Sequence, residues 1–173
     1  MIIILTTKRI FLGKFATDDV DLLFQLNNDI EVMKYITPGM KMNLSEVKNK
    51  SMPRILKSYN HGPEFGIWPA YLTETNDYIG WFQYEPDYEI LNAVEIGWRI
   101  KRQYWGNGYA TEVAKVLVKR GLDMGKSIVA RAMIDNKASI KVMKNAGLKF
   151  ADEFWGDYEP HSGKPDVRYE LSS

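Results

Sequence analysis

Between a strand-like run and an amphipathic helix lies Gln103-Tyr104-Trp105-Gly106-Asn107-Gly108-Tyr109-Ala110, and Gly106 and Gly108 give this segment its chemical interest. Glycines at the mouth of a helix let the backbone come close to a ligand. The unpaired N–H groups of the first turn and the positive helix end then favour an anion such as a pyrophosphate. A plain tight turn is the other use for two such glycines. A Walker loop would need Gly-Lys-Ser/Thr to hold magnesium and phosphates, and nothing here supplies it. A dinucleotide turn fits in part, with Asp135 ending the next strand. It fails at Thr111, which stands at the third small position, and at Lys101 to Trp105, which separates strand end from glycine too widely.

The second chemical feature is Glu95. Val94, Ile96, Trp98 and Ile100 alternate with Glu95, Gly97 and Arg99, so the carboxylate belongs to one defined strand face. It can serve there as a base, or stand exposed and balanced by Arg99 on the same face. Other chemistries are thinly provided for. The chain has no cysteine, which removes disulfides, thiolate metal sites and cysteine nucleophiles, and its two histidines, His61 and His161, share no metal-binding spacing. No metal is expected. With 23 Lys and Arg against 22 Asp and Glu, the net charge of +1 provides no field for nucleic acid or an anionic membrane. The apolar opening Met1 to Leu5 lacks a basic leader and is far shorter than the ~18 residues of a membrane span, so a cytoplasmic protein is expected.

The elements that must position these residues fit one domain over residues 1–173, since no repeat or linker divides the chain. Leu5 to Phe15 reads as a first strand, and Thr17-Asp18-Asp19 caps a helix carrying Val20, Leu22, Leu23 and Leu26. Ile30 to Ile36 reads as a short helix broken by Thr37-Pro38-Gly39, and another helix from Ser45 is kinked or divided by Pro53. Phe65 to Leu72 and Tyr78 to Tyr84, parted by Thr75-Asn76-Asp77, fit an antiparallel meander, and Val94 to Ile100 reads as a further strand. That strand, the glycine loop, a helix over Tyr109 to Asp123 and a buried strand over Ser127 to Ile134 make one parallel crossover, and Ala138 to Ala146 reads as a short helix closed by Gly147. Phe154 to Lys164 is expected as a loop or bent hairpin before a last strand, Val167 to Leu171. The sum is a mixed α/β (α+β) fold with a twisted central sheet flanked by helices.

These residues, taken together, resemble the GNAT superfamily of acetyl-CoA-dependent N-acetyltransferases. Gln103-x-x-Gly106-x-Gly108 is similar to its pyrophosphate loop and Glu95-Ile96-Gly97-Trp98-Arg99-Ile100 to its central strand. Trp105 to Glu112, the segment Asn136-Lys137-Ala138-Ser139-Ile140 with Gly147-Leu148, and Asp29 to Ile36 most resemble the RimJ/RimL branch of ribosomal-protein N-terminal acetyltransferases. The resemblance implies a GNAT-like fold binding acetyl-CoA where the Val94 strand splays from the Ser127 strand. Backbone groups of Trp98 and Ile100 would pair with pantetheine. Gln103, Gly106, Asn107, Gly108, Tyr109 and Ala110 would hold the pyrophosphate. Asn136 would bond the pantetheine or cap its own helix, and Ser139 would lie near the sulfur.

Acetyl transfer to an amine needs that amine neutral. An α-amino group, with a pKa of about 7.7–8.0, is already partly neutral at pH 7, whereas lysine, at about 10.4, is not. The resemblance puts Glu95 at the site of the base and Glu159 second. A tyrosine seven residues after the asparagine serves as acid in other branches, but Met143 occupies that place, which leaves Ser139 as the acid. The implied acceptor is a peptide N-terminus, or a small amine such as a polyamine, amino sugar or amino acid. A CoA-sensing module without turnover is the alternative of another class. A monomer or a homodimer is expected.

Overall fold

The computed structural model describes residues 2–36, 40–156 and 163–172. These form an eight-stranded sheet in the order β1-β2-β3-β4-β5-β6-β8-β7. The strands are β1 (Leu5–Thr6), β2 (Ile10–Leu12), β3 (Gly66–Leu72), β4 (Tyr78–Pro86), β5 (Ala93–Ile100), β6 (Ser127–Met133), β7 (Lys149–Phe154) and β8 (Asp166–Leu171). Every neighbouring pair is antiparallel except β5 and β6. That single parallel joint comes from the crossover through α5 (Tyr109–Asp123), a right-length helix between two strands that must run the same way.

Helices cover both sheet faces. On one side lie α5 and α6 (Lys137–Asn145), whose Val113, Ala114, Leu117, Ile140 and Met143 pack against Phe82, Tyr84, Val94 and Ile96. On the other lie α1 (Val20–Asn27), α2 (Ile30–Met33), α3 (Leu44–Glu46) and α4 (Met52–Ser58). There Leu23, Val47, Met52 and Ile55 join Phe15, Ile67, Tyr71 and Tyr78 in a second core. At β5 the alternation does the sorting. Val94, Ile96 and Ile100 are buried on the α5 side, while Glu95, Gly97 and Arg99 face the α1 side and are only partly covered.

Several expectations change. The first strand is divided into β1 and β2, because Thr7 to Arg9 turn back as a hairpin. Thr7 Oγ1 donates to Glu112 Oε1 at 2.7 Å, which fixes that turn against α5. Asp19 stands ahead of α1, but its carboxylate accepts from Ala16 N rather than capping the helix. The helix around Pro53 is divided by a wide π turn over Val47–Ser51. Proline has no N–H for the Asn49 carbonyl and crowds it, so the turn opens just before it. Strand β7 was not expected. Lys149 to Glu153 carries too little alternation to read as a strand, and it is an edge held only by β8. Phe154 therefore ends a strand instead of opening a loop; the rest of that expected loop falls largely in residues 157–162, outside the described residues, as does the break at 37–39.

Candidate active site

The two parallel strands stay paired over only three registers, Ala93 with Ser127, Val94 with Ile128 and Glu95 with Val129, while β5 runs on to Ile100. This opens a cleft along the far half of β5. Backbone direction there follows from the antiparallel ladder: Asp87 N bonds Ala93 O at one end and Lys101 N bonds Ile79 O at the other. Odd-numbered residues of β5 therefore turn their amide groups to β4, and Trp98 and Ile100 turn theirs into the cleft. The Ile100 carbonyl is taken by the Trp105 indole N–H at 2.7 Å, which leaves both groups of Trp98 and the N–H of Ile100 for a ligand.

At the mouth of the cleft, Gly106 and Gly108 both adopt φ of 78°, a left-handed conformation that favours glycine. Nothing lies within 4 Å of where a Gly106 side chain would begin. Gly108 is the N-cap of the 15-residue α5 and has no side chain to close it, so the N–H groups of Tyr109, Ala110 and Thr111 lack intrahelical partners. Glu112, the acidic residue in the first turn, is drawn away. It accepts from Thr7 Oγ1, Arg9 N and Arg9 Nε; although burial pushes its pKa up, these bonds win and hold it below the usual carboxylate range. The Arg9 guanidinium also lies 4.6 Å from the Tyr109 ring centre, a cation beside the cradle that no local sequence pattern marks. The observed donors fit a diphosphate: an uncapped helix start, open space at a positive-φ glycine, and a nearby arginine.

Two cavities meet along the cleft. The larger, about 430 Å³, runs from Val32 and Tyr35 past Ile100, Gly106 and Tyr109 to Asn136 and Ser139. The smaller, about 170 Å³, is lined by Trp81, Gln83, Glu95, Gly97, Arg131 and Met143, among others. Trp98 and Ser139 line both. Asn136 caps α6 by accepting from Ser139 N at 3.1 Å and also lines the larger cavity. Met143 is buried and has no proton to give.

Glu95 is the carboxylate of the smaller cavity. Gln83 Nε2 donates to its Oε2 at 3.1 Å, and Arg131 Nη1 lies 3.3 Å from its Oε1. Burial pushes its pKa up, and the Arg131 charge offsets only part of that rise. Arg131 in turn is gripped by Asp87 and Glu89; burial lowers its pKa, but these carboxylates more than reverse that. Glu95 is thus balanced from β6 and not by Arg99, which bonds Asn27 Oδ1 on α1 and lies 5.0 Å from the Trp81 ring centre. Burial brings the Arg99 pKa down to about 10, so it stays charged at neutral pH.

Of the residues singled out from the sequence, Glu95, Trp98, Ile100, Gly106, Gly108, Tyr109, Ala110, Asn136 and Ser139 line one or both cavities. Gln103 is exposed in a 3₁₀ turn and lines neither. Asn107 folds its side chain back onto the carbonyls of Tyr104 and Trp105, both at 3.1 Å, and so braces the loop. Glu159 and His161 lie outside the described residues. The sequence reading passed over Arg131, although one arginine within the apolar run Ile128 to Met133 is a visible anomaly. Among the described residues no cluster of three or more His, Asp or Glu could hold a metal, and no helix is long and apolar enough to cross a membrane.

Comparison with known proteins agrees with this geometry. The family model for an acetyltransferase (GNAT) domain matches residues 9–149. YkkB, an uncharacterized protein of Bacillus subtilis, is 32% identical over 85% of this chain and 86% of its own. The FsC-acetyl coenzyme A-N(2)-transacetylase of Aspergillus fumigatus is 26% identical over 97% of this chain and 75% of its own. Among solved structures, RimL, a ribosomal-protein α-N-acetyltransferase in complex with coenzyme A, superposes with a TM-score of 0.80 at 18% identity, over 98% of this chain and 97% of that one.

Proposed function

This chain belongs to the GNAT acetyltransferase family and is an acetyl-CoA-dependent acyltransferase, and from that premise we propose that its acceptor is the free α-amino group of a peptide or protein chain. The observation that carries this reading is Glu95, a buried carboxylate of raised pKa in a cavity of about 170 Å³ that opens at Trp98 and Ser139 into the larger groove. A cavity of that size admits the end of a chain. An α-amine is within reach of a single carboxylate base, whereas a lysine amine, at a pKa of about 10.4, must first give up a proton held far more tightly.

Acetyl-CoA supplies the acetyl group as a thioester. The α5 start and the Gly106–Gly108 turn hold its diphosphate, and the free backbone groups of Trp98 and Ile100 align the pantetheine arm along β5. Glu95 takes the proton of the attacking amine, directly or through a water molecule. Ser139, at the junction of the cavities, offers a hydroxyl proton toward the sulfur. RimL, by its name, acts on ribosomal-protein α-amines and supports this reading. A compact small-molecule amine is the second reading, favoured by the modest size of the Glu95 cavity.

The test is to offer acetyl-CoA with peptides bearing free N-termini, with N-blocked lysine peptides, and with a polyamine and an amino sugar, following thiol release and product mass. Acetylation of free N-termini well above the other amines is expected. Turnover confined to small amines would overturn the peptide reading.

A further inference from the structure

Arg99 is a cation without an anion. Its Nε is sealed from solvent and has no hydrogen-bond partner, one Nη bonds the neutral amide oxygen of Asn27, and its face rests on Trp81. No acidic side chain among the described residues pairs with it. The Nε atoms of Arg131 and Arg168 are sealed in the same way, so the difference lies in the charge: Arg131 meets three carboxylates, and Arg168 meets Asp152 and Glu170. An amide and an aromatic ring soften the loss of hydration without neutralising the charge, so a folded chain retains such a group at a cost unless a ligand completes it.

The position of Arg99 says which ligand. It lines the larger groove and shares a strand face with Glu95, four residues away, or about 13 Å along the strand. Gly97 lies between them and presents no side chain of its own; the Gln83 side chain lies over it, since a Cβ there would begin 3.3 Å from Gln83 Oε1, and Gln83 Nε2 reaches Glu95 at 3.1 Å, so the floor between the two charges is a polar amide. Diphosphate donors are elsewhere, at the α5 start, and the odd-numbered face of β5 is the one carrying the proposed base. We propose that Arg99 is a specificity residue of the acceptor site and takes a carboxylate borne by the amine substrate. The inference rests on the amine-acceptor reading. Its chemistry has two sources: the side chain of an acidic residue at the second or third position of a peptide, or the α-carboxylate of a free amino acid.

The experiment compares kcat/KM for peptides with Asp or Glu at those positions against the same peptides with Asn or Gln, and for free amino acids against their amides. Two variants are run alongside the native chain. Arg99→Gln removes the charge. Asn27→Asp leaves the arginine in place and gives it an internal carboxylate, so it serves even if Arg99→Gln folds poorly. The native enzyme should prefer the carboxylate form in one arm by about tenfold or more, the usual worth of a hydrogen bond to a charged group. That arm names the source. Both variants should erase the preference while leaving acetyl-CoA affinity, read by calorimetry, unchanged. No preference in either arm, or an equal loss for acid and amide forms in the variants, overturns the proposal. If no amine is turned over, the amine-acceptor reading fails by itself; calorimetric titration of the acidic and amide peptides into the CoA-loaded protein still decides whether Arg99 selects a carboxylate.

Discussion

Arg131 Nη1 stands 3.3 Å from Glu95 Oε1, just past the register where β5 and β6 part company. The same guanidinium serves Asp87 and Glu89 and lies 4.9 Å from the Tyr88 ring centre, so Glu95 receives only a share of its charge. Full pairing would hold Glu95 as a weak base, and no pairing would let burial raise its pKa further. Shared pairing keeps the carboxylate above its ordinary pKa, yet below where burial alone would put it.

Glu95→Gln should lower kcat/KM for a peptide by about 10²- to 10³-fold at pH 7. The loss should be smaller at pH 9, where an α-amine with a pKa of about 7.7–8.0 is already neutral. An equal loss at both pH values would remove Glu95 from the role of base. Stability should move the other way. A carboxylate with a raised folded pKa contributes stability that is present below its ordinary value and lost as pH rises through the folded one. Ionised Glu95 therefore costs stability at neutral pH, and Glu95→Gln should raise Tm there by about 2 °C, with the gain shrinking in acid.

Arg131→Met leaves Asp87, Glu89 and Glu95 facing one another without a cation. The Glu95 pKa should rise further, moving the acidic limb of the kcat/KM profile to higher pH. The fold should lose about 3 kcal/mol, measured by urea unfolding. The stability loss has its own pH signature. Burial raises the Asp87 pKa, but the Arg131 bond and the N–H groups of Glu89 and Ile90 prevail and hold it low. Its contribution is present above the ordinary carboxylate pKa and is lost as pH falls through the lowered folded value, so the native and variant proteins should converge in strong acid. An unmoved acidic limb would show that Arg131 braces the sheet without tuning Glu95.

How far the sequence could be read follows from where its signals were local. The ends of α5 are written in its neighbours: glycines at the start, Gly125 at the stop and an unbroken apolar stripe between them. The β5 alternation placed Glu95 and Arg99 on one face, and both are there. What could not be read is which of several charges meet. Arg99 was the natural partner of Glu95 along the strand, but α1 brings Asn27 to Arg99 and β6 brings Arg131 to Glu95 across 36 residues of sequence. Strand β7 was invisible because a charged edge pairing on one side only has no need of alternation. The internal use of the Asn107 side chain, which donates to the Tyr104 and Trp105 carbonyls, was equally unreadable, because it depends on how the loop folds back on itself.

Gly106→Val tests the cradle. A β-branched side chain is strained at φ of 78°, yet it meets nothing within 4 Å, so the damage to the fold should stay at about 1–2 kcal/mol. The new side chain stands where a ligand must approach the backbone, and CoA affinity measured by calorimetry should fall by about 100-fold or more. Unchanged affinity would move the diphosphate away from this loop.

Ser139→Ala separates proton supply from binding. Ser139 lines both cavities, and its backbone N–H is already committed to Asn136, so the α6 cap survives loss of the hydroxyl. Removal of a small exposed-edge hydroxyl should leave Tm and CoA affinity nearly as they were. The departing sulfur has the chemistry of a thiol with a pKa of about 8.5, a leaving group that needs little help near neutral pH. The expected fall in kcat is therefore modest, about 10-fold, and should be nearly the same from pH 6 to pH 9, because a serine hydroxyl does not titrate in that range. KM for the amine should hardly change, since Ser139 lies at the junction and the acceptor contacts are Glu95 and the β5 face. A rise in KM with kcat preserved would instead make Ser139 part of the acceptor wall and leave solvent to protonate the sulfur.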